Sequence, residues 1–596
     1  MAANGNGGSR PLWLIDGQFS FEGGIDSGRI PTIASQEFPE GLKRTQLAFA
    51  GNAVMRGGKI AGRPGFKPLV SFTTSQKAQW AGLFQGAYMY QPDGGNPYIM
   101  MGVGGRMYQV RVDTDNSVHD LSSPATAMPA NQPYWWMEQG EQFLVIQDSV
   151  SPPRVWDGTT LKSGPAAISL PIGTDMDYFM GRMWVTTAGN QREFTAGDIV
   201  RGPSGSAAYG LRDSILRMTE NAYLSGGGAF VVPTNDGVIR AMFHTSELDT
   251  TLGQGNLYVG TRKSIYRMQV PVDRTAWVAT NINTLPIQVV ALIRNGPVNN
   301  RSVVGVNSDV FFQSLEPSIR SLTLASRYFQ QWGNTQISTN ESRVLQFNDR
   351  SLLRFASGIE FNNRLLQTAL PFQTAVGVAH KGIIPLDFDL ISSLGEKYPP
   401  AWEGMWEGLQ FLQLLEADFG GLQRAFAIVL SQVSNQIEVW EISNNDVRDN
   451  GDNRITYFFE TPAYTCNKLR EMKRLVSGEL WIDELFGETD ITVEWRVDQN
   501  QCWNLWTKFR ECSARDCREA DTSCLYPIQP LCPQNRAPLK FPRPQQPTVC
   551  DVNNTRPADI GYQFQLRVTI KGTASVRGLF IYCEPFDTAA YYGLVC

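Results

Sequence analysis

The first 465 residues contain no cysteine. All nine in the chain lie at 466, 502, 512, 517, 524, 532, 550, 583 and 596, so a cystine framework is excluded from most of the fold and belongs to its C-terminal part alone. Histidine is as scarce: His119, His244 and His380 are the full set. None lies beside a Ser, a Cys or a second His, so nothing marks a His-based nucleophilic centre. Charged residues are only 18%, and 52 basic against 57 acidic side chains give a net charge of -5. That balance argues against a protein gripping nucleic acid over its whole surface, though it leaves room for a local basic patch. No apolar run approaches the roughly 18 residues needed to cross a bilayer; stretches such as Ala425 to Leu430 are strand length. The opening MAANGNGGSR lacks the apolar centre of a signal peptide. It reads as a flexible arm on a chain made and first folded in a cytoplasm.

What is abundant is turn chemistry. With 55 Gly, 34 Pro and 42% hydrophobic residues, the chain can build a core from many short elements but few long helices. Residues 134–158, YWWMEQGEQFLVIQDSVSPPRVWDG, show the design: a buried strand over Phe143 to Gln147, a turn through Pro152 and Pro153, and a second strand closed by Asp157 and Gly158. Looser copies recur over 80–112, 256–270 and 306–324. Candidate blades fall near 76–112, 134–162, 176–200, 228–270, 287–325, 345–392 and 407–442, which predicts a β-propeller of about seven blades. Residues 401–418, AWEGMWEGLQFLQLLEAD, carry apolar side chains at nearly helical spacing, but the aromatic content and flanking Pro and Gly favour strands. From about 461 the composition shifts. Four alternating strands, at 479–485, 492–497, 562–570 and 576–582, with a Pro- and Cys-rich insert over 508–556, predict a small β-sandwich. The expectation is therefore all-β: an arm and lead-in over 1–70, a propeller over 71–460 and a sandwich over 461–596.

A resemblance accompanies this pattern. Gly23-Gly24-Ile25-Asp26, Asn52, Gly57-Gly58 and then Arg63, Pro64, Gly65 and Phe66 precede the first blade. They are followed in order by the strand and Ala-Gly-Asp of 178–200, the aromatic strand leading to Ile-Arg-Ser-Leu over 307–322, and 347–367 and 400–441. Together these resemble the β-propeller hub and nozzle proteins in the tails of double-stranded DNA bacteriophages. The resemblance implies a structural virion protein assembled in the host cytoplasm, forming a homo-oligomeric, sixfold ring around the genome-ejection channel. Its implied partners are an adaptor or other tail protein above and fibres or a plug below, with genomic DNA passing through without sequence-specific binding. A lumen meant to release DNA should avoid basic residues, so Arg510, Arg515 and Arg518 are expected away from the passage. The alternative is a receptor-binding module for host glycans at the tail tip; a glycan hydrolase is least favoured.

No catalytic residue, cofactor or metal is expected. The cysteine spacings do not form CxxC knuckles and no histidine lies near them. A loop with few apolar residues cannot hold itself by burial. Cross-links among Cys502, Cys512, Cys517, Cys524, Cys532 and Cys550 would each contribute roughly 2–4 kcal/mol, while reduced thiols remain the alternative. The odd count leaves at least one free thiol, most easily Cys596. Asp148, Asp157, Asp198, Asp309 and Asp349 lie beside turn residues, where they cap backbone. A sialidase-like site would need a cluster of arginines that sequence spacing does not assemble.

Overall fold

The computed structural model describes residues 13–71, 73, 82–113, 116–200, 208–220, 229–245, 255–268, 287–292, 295–323, 336–389, 400–443, 448–450, 453–512, 538–544 and 559–586. Strands dominate these residues, and helix is confined to short pieces such as Ser342–Leu345. The fold is all-β, with a propeller-like ring. Its strand pairs are set by two-residue turns in which both positions have positive φ: Met180 (49°) and Gly181 (69°), Asn307 (49°) and Ser308 (66°), Asn362 (53°) and Asn363 (56°). Such turns match the twist of the strands they join, which is why Asn and Gly recur there.

Five antiparallel sheets run in chain order. Four have four strands, spanning 84–120, 136–163, 173–231 and 239–292, and one has three, spanning 303–321. Their first strands stand side by side on the inside of the ring: Phe84–Tyr90, Trp136–Gly140, Gly173–Phe179 and Ile239–His244 pack in succession. Trp406–Asp418 packs back on Phe84–Tyr90 and closes the circle. There the Gln413 side chain accepts from Ala87 N (2.9 Å) and donates to Ala87 O (2.7 Å). Apolar contact between neighbouring sheets supplies the cohesion, for example Met100 and Trp135 against Met137, Leu144 and Trp156.

The stretches expected as the sixth and seventh blades, 345–392 and 407–442, lie in a single eight-stranded sheet, because Gly377–Asp387 and Trp406–Asp418 pair through His380 with Phe411 and Ile383 with Trp406. The segment 401–418 is strand, as its flanking residues suggested. Two blade edges differ from expectation. Ala229–Val231 is the outer strand of the third sheet and Ile287–Leu292 that of the fourth; each returns after a long excursion that hides its pairing from local pattern. The last strand of the eight-stranded sheet is Phe66–Ser71, which pairs with Ile437–Ile442. Chain from before the first blade thus closes the last sheet.

The rest of the lead-in belongs elsewhere. Leu14–Gln18, Phe49–Gly51 and Ile60–Gly62 pair with strands of the C-terminal ten-stranded sheet, as does Thr456–Glu460 just ahead of the expected boundary at 461. The four expected strands of this region are two long ones, Lys473–Val497 and Phe564–Pro585, paired in two stretches. Register breaks between Asp483 and Asp490, where Glu484 and Gly487 take positive φ, separate the stretches. Alternate side chains such as Leu480, Ile491, Trp495, Val568 and Leu579 are buried in one cluster with Val304, Leu365 and Trp402 of the ring, so ring and C-terminal sheet share a core. Residues 1–12 and most of the insert, including Arg515 and Arg518, lie outside the described residues.

Candidate functional site

The expected residues serve the framework. Arg63 is 2% exposed and its guanidinium grips the Asp449 carboxylate with two bonds of 2.8 Å, while also donating to Asn52 Oδ1, Pro64 O and Glu407 O. It stacks 3.7 Å above the Phe66 ring, and Phe66 N donates to the same carboxylate. Arg63, Pro64, Gly65 and Phe66 therefore anchor the strand that closes the last sheet. Of the five aspartates named above, Asp148, Asp157 and Asp349 cap turns, whereas Asp198 and Asp309 tie segments distant in sequence: Asp148 accepts from Val150 and Ser151, Asp157 from Thr159 and Thr160, and Asp198 from Thr219 and Glu220. Asp309 accepts from Val310 and Thr323, and Asp349 from Ser351. Cys502 is disulfide-bonded. The side chains of Cys512, Cys517, Cys524, Cys532 and Cys550 lie outside the described residues, while Cys466 and Cys583 are buried free thiols. Arg510 pairs with Glu488 and with Asp490 (3.2 Å).

The chemistry that sequence reading passed over lies on the ring axis. Because the first strand of each sheet is innermost, its side chains meet there, around a cavity of about 340 Å³ lined by Tyr88, Trp136, Glu138, Arg301 and Glu416 among others. A second cavity, of about 360 Å³, opens at the leading ends of the same strands and shares Trp136. Asp175 and Asp177 come from Gly173–Phe179, His244 from the end of Ile239–His244, and Glu360 from Gly358–Phe361.

Burial sets the protonation of this girdle. The Glu138 carboxyl is pushed well above the usual range by desolvation and then by the charges of Asp177 and Asp175. Asp175 is raised by burial, opposed by a hydrogen bond from Met242 N. Glu416 is pushed up to about 8 by desolvation and by Glu360. His244 is raised by its hydrogen bond to Asp177 (3.0 Å). Arg301 lies over the Tyr134 ring at 3.8 Å and donates to the carbonyls of Trp135 and Gln85. The axis thus carries carboxyl groups whose affinity for protons is raised by burial, beside one buried guanidinium. Such groups can hold or exchange protons and hydrogen-bond a polar guest. Among the described residues no group of three or more His, Cys, Asp or Glu is placed to hold a metal ion. His119 is surface-exposed beside Ser117 (3.0 Å), and His380 is buried, its Nδ1 donating to Phe411 O (3.1 Å), with its pKa pushed down to about 4 by burial. One signal could have found part of the girdle: acids inside otherwise apolar first strands, Glu138 in Trp136–Gly140 and Asp175 and Asp177 in Gly173–Phe179.

No protein-family model matches the chain, and no curated protein does. Solved structures similar to part of it include the computationally designed Ika8 protein (8% identity, 63% of this chain and 100% of that one, TM-score 0.31). Others are the AfRom2 CNH domain (8%, 64% and 99%, 0.33) and YCF48 bound to D1 peptide (8%, 64% and 96%, 0.31).

Proposed function

We propose that the chain is a structural component of a bacteriophage tail, a hub or nozzle subunit whose copies close into a sixfold ring around the path of the genome. The order of motifs in the sequence is the source of this reading. The observation that carries it furthest is the sharing of the lead-in: residues 14–62 strengthen the C-terminal sheet while Phe66–Ser71 closes the last sheet of the ring. A subunit whose two parts are tied by one segment and one apolar core suits a wall that must not hinge. In this reading the eight-stranded sheet counts as two fused blades, making seven, since Gly358–Phe361 and Trp406–Asp418 both take innermost places. The C-terminal sheet, folded at its register breaks, acts as the sandwich.

Duplex DNA, whose major groove alone is about 12 Å wide, has no room in axial cavities of about 340 and 360 Å³. The conduit is therefore the space enclosed by copies, lined by their outer surfaces, and head-to-tail contacts that close are the simple way to make it. Purified protein should assemble into rings of a single copy number by native mass measurement, and the rings should bind duplex DNA weakly at physiological salt. Tight binding with a steep salt slope would contradict a conduit. A second reading, glycan recognition at the tail tip, is supported by an aromatic surface on the C-terminal sheet, where exposed Trp13 and Phe19 contact Tyr582, Phe580 and Trp481.

A further inference from the structure

Two thiols meet where the lead-in joins the C-terminal sheet. Ahead of the long strand Lys473–Val497 the chain turns tightly, with Lys468 N donating to Thr465 O (2.9 Å) and with Cys466 and Asn467 at φ of 51° and 55°. Asn suits such a left-handed position, but a cysteine brings a Cβ that crowds the backbone and no strong side-chain hydrogen bond to offset it. Its presence there calls for a reason beyond the turn. The surrounding register supplies one. Cys466 N donates to Asp16 Oδ2 (2.7 Å). Asp16 and Leu14 are two residues apart on one strand and so share a face, and Leu14 lies directly opposite Cys583. The turn is thereby pinned beside Cys583.

Cys466 is 5% exposed and Cys583 fully buried, both as free thiols in the core shared with Tyr464, Leu475 and Ile581. Their side chains interact directly with each other. Cysteines that point at one another have the arrangement a cystine needs, whereas diverging ones cannot be bridged without backbone movement. A buried cation faces both sulfurs: Lys473, whose Nζ donates to the carbonyls of Lys468 (2.6 Å), Glu471 (2.7 Å) and Tyr562 (2.7 Å). A cation beside a thiol favours the thiolate, its reactive form. Asp16 faces the same pair and opposes this, but its carboxylate is already paired with Arg44.

We propose that Cys466 and Cys583 form an oxidative modification site, joined by a peroxide into a cystine that clasps the turn and the lead-in strand Leu14–Gln18 to Phe564–Pro585. Cys466, in a turn whose next residue Asn467 is exposed, is reached first. Its thiol gives up a proton and the sulfur attacks one peroxide oxygen; the O–O bond breaks, the leaving hydroxide takes the proton as water, and a sulfenic acid remains. The Cys583 sulfur then attacks the Cys466 sulfur. The S–O bond breaks, hydroxide leaves with the Cys583 proton as a second water, and the S–S bond forms. Two thiols are oxidised and one peroxide is reduced to two waters. The proposal does not rest on a role in a tail, since both residues and the cation beside them come from one chain.

The full chain, reduced and then freed of reductant, is treated with hydrogen peroxide, denatured, alkylated and mapped by mass spectrometry without further reduction. A peptide pair linked through Cys466 and Cys583 is expected, and a thiol reductant should abolish it. With the second thiol removed in Cys583→Ser, a sulfenic acid should persist at Cys466 and be trapped by a cyclic dione; Cys466→Ser should show none at Cys583. In the wild-type chain, amide hydrogen exchange across Leu14–Gln18 should slow about tenfold on oxidation, with no change in either variant. Recovery of both residues as alkylated thiols after peroxide, or either one bridged to a different cysteine, would overturn the site. Trapping at Cys583 in Cys466→Ser would overturn the order of attack, and a linked pair without slowed exchange would overturn the clasp.

Discussion

Replacing Arg63 by alanine should loosen the closure of the last sheet while leaving the rest of the ring intact. The side chain makes five hydrogen bonds, two of them to the Asp449 carboxylate, and its cation covers the Phe66 ring. Breaking a buried pair by removing one partner costs about 3–5 kcal/mol. The Asp449 side chain is 27% exposed against 1% for Arg63, so the stranded carboxylate can partly rehydrate and the lower end, about 3 kcal/mol, is the reasoned value. A chain of this size need not unfold in one step, so a global melting curve is the wrong measurement. Amide hydrogen exchange reads local opening directly. At about 1.4 kcal/mol per decade, exchange across Phe66–Ser71 and Ile437–Ile442 should accelerate roughly a hundredfold. Exchange over Phe143–Gln147, in a distant sheet, should not change. Arg63→Lys keeps the charge but not the two-pronged grip, and should fall between the two. Wild-type exchange at the closing strand in Arg63→Ala, or equal acceleration everywhere, would refute the reasoning.

Glu416→Gln should flatten part of the pH dependence of stability. Its folded pKa of about 8 lies above the ordinary carboxyl value, so the unfolded chain releases this proton first. The stability it contributes is complete below about pH 4 and is lost as pH rises towards 8, by at most about 1.4 kcal/mol per pH unit; thermal melts at pH 5 and pH 8 should differ less in the variant. Peptide mapping of mature, non-reduced protein should find at least two bridges among Cys502, Cys512, Cys517, Cys524, Cys532 and Cys550. Free thiols at all six would contradict the cross-linked loop. Cys466 and Cys583, buried as free thiols, should react with an alkylating reagent only after denaturant is added.

How much of this could be read from sequence depends on the range of the interaction. Short-range features were legible: the strand, turn and strand of 143–156, the turn-capping Asp148, Asp157 and Asp349, and the strand character of Trp406–Asp418 despite its helical spacing. Pairings across long distances in sequence were not. Leu14–Gln18 alternates like any edge strand, and nothing local says that Ile15 faces Tyr582. The two long C-terminal strands looked like four because positive φ at Glu484 and Gly487 breaks the register without ending the strand. The axial carboxyl groups escaped notice because one acid in an apolar strand reads as ordinary alternation. Only the ring places Glu138, Asp175 and Glu416 around one axis.

The most direct test of the proposed role is electron microscopy of isolated phage particles in which this chain carries a bound antibody fragment or fused tag. The account predicts label in a sixfold ring coaxial with the tail, surrounding the channel. Label at the tips of fibres, in threes or singly and off the axis, would contradict it.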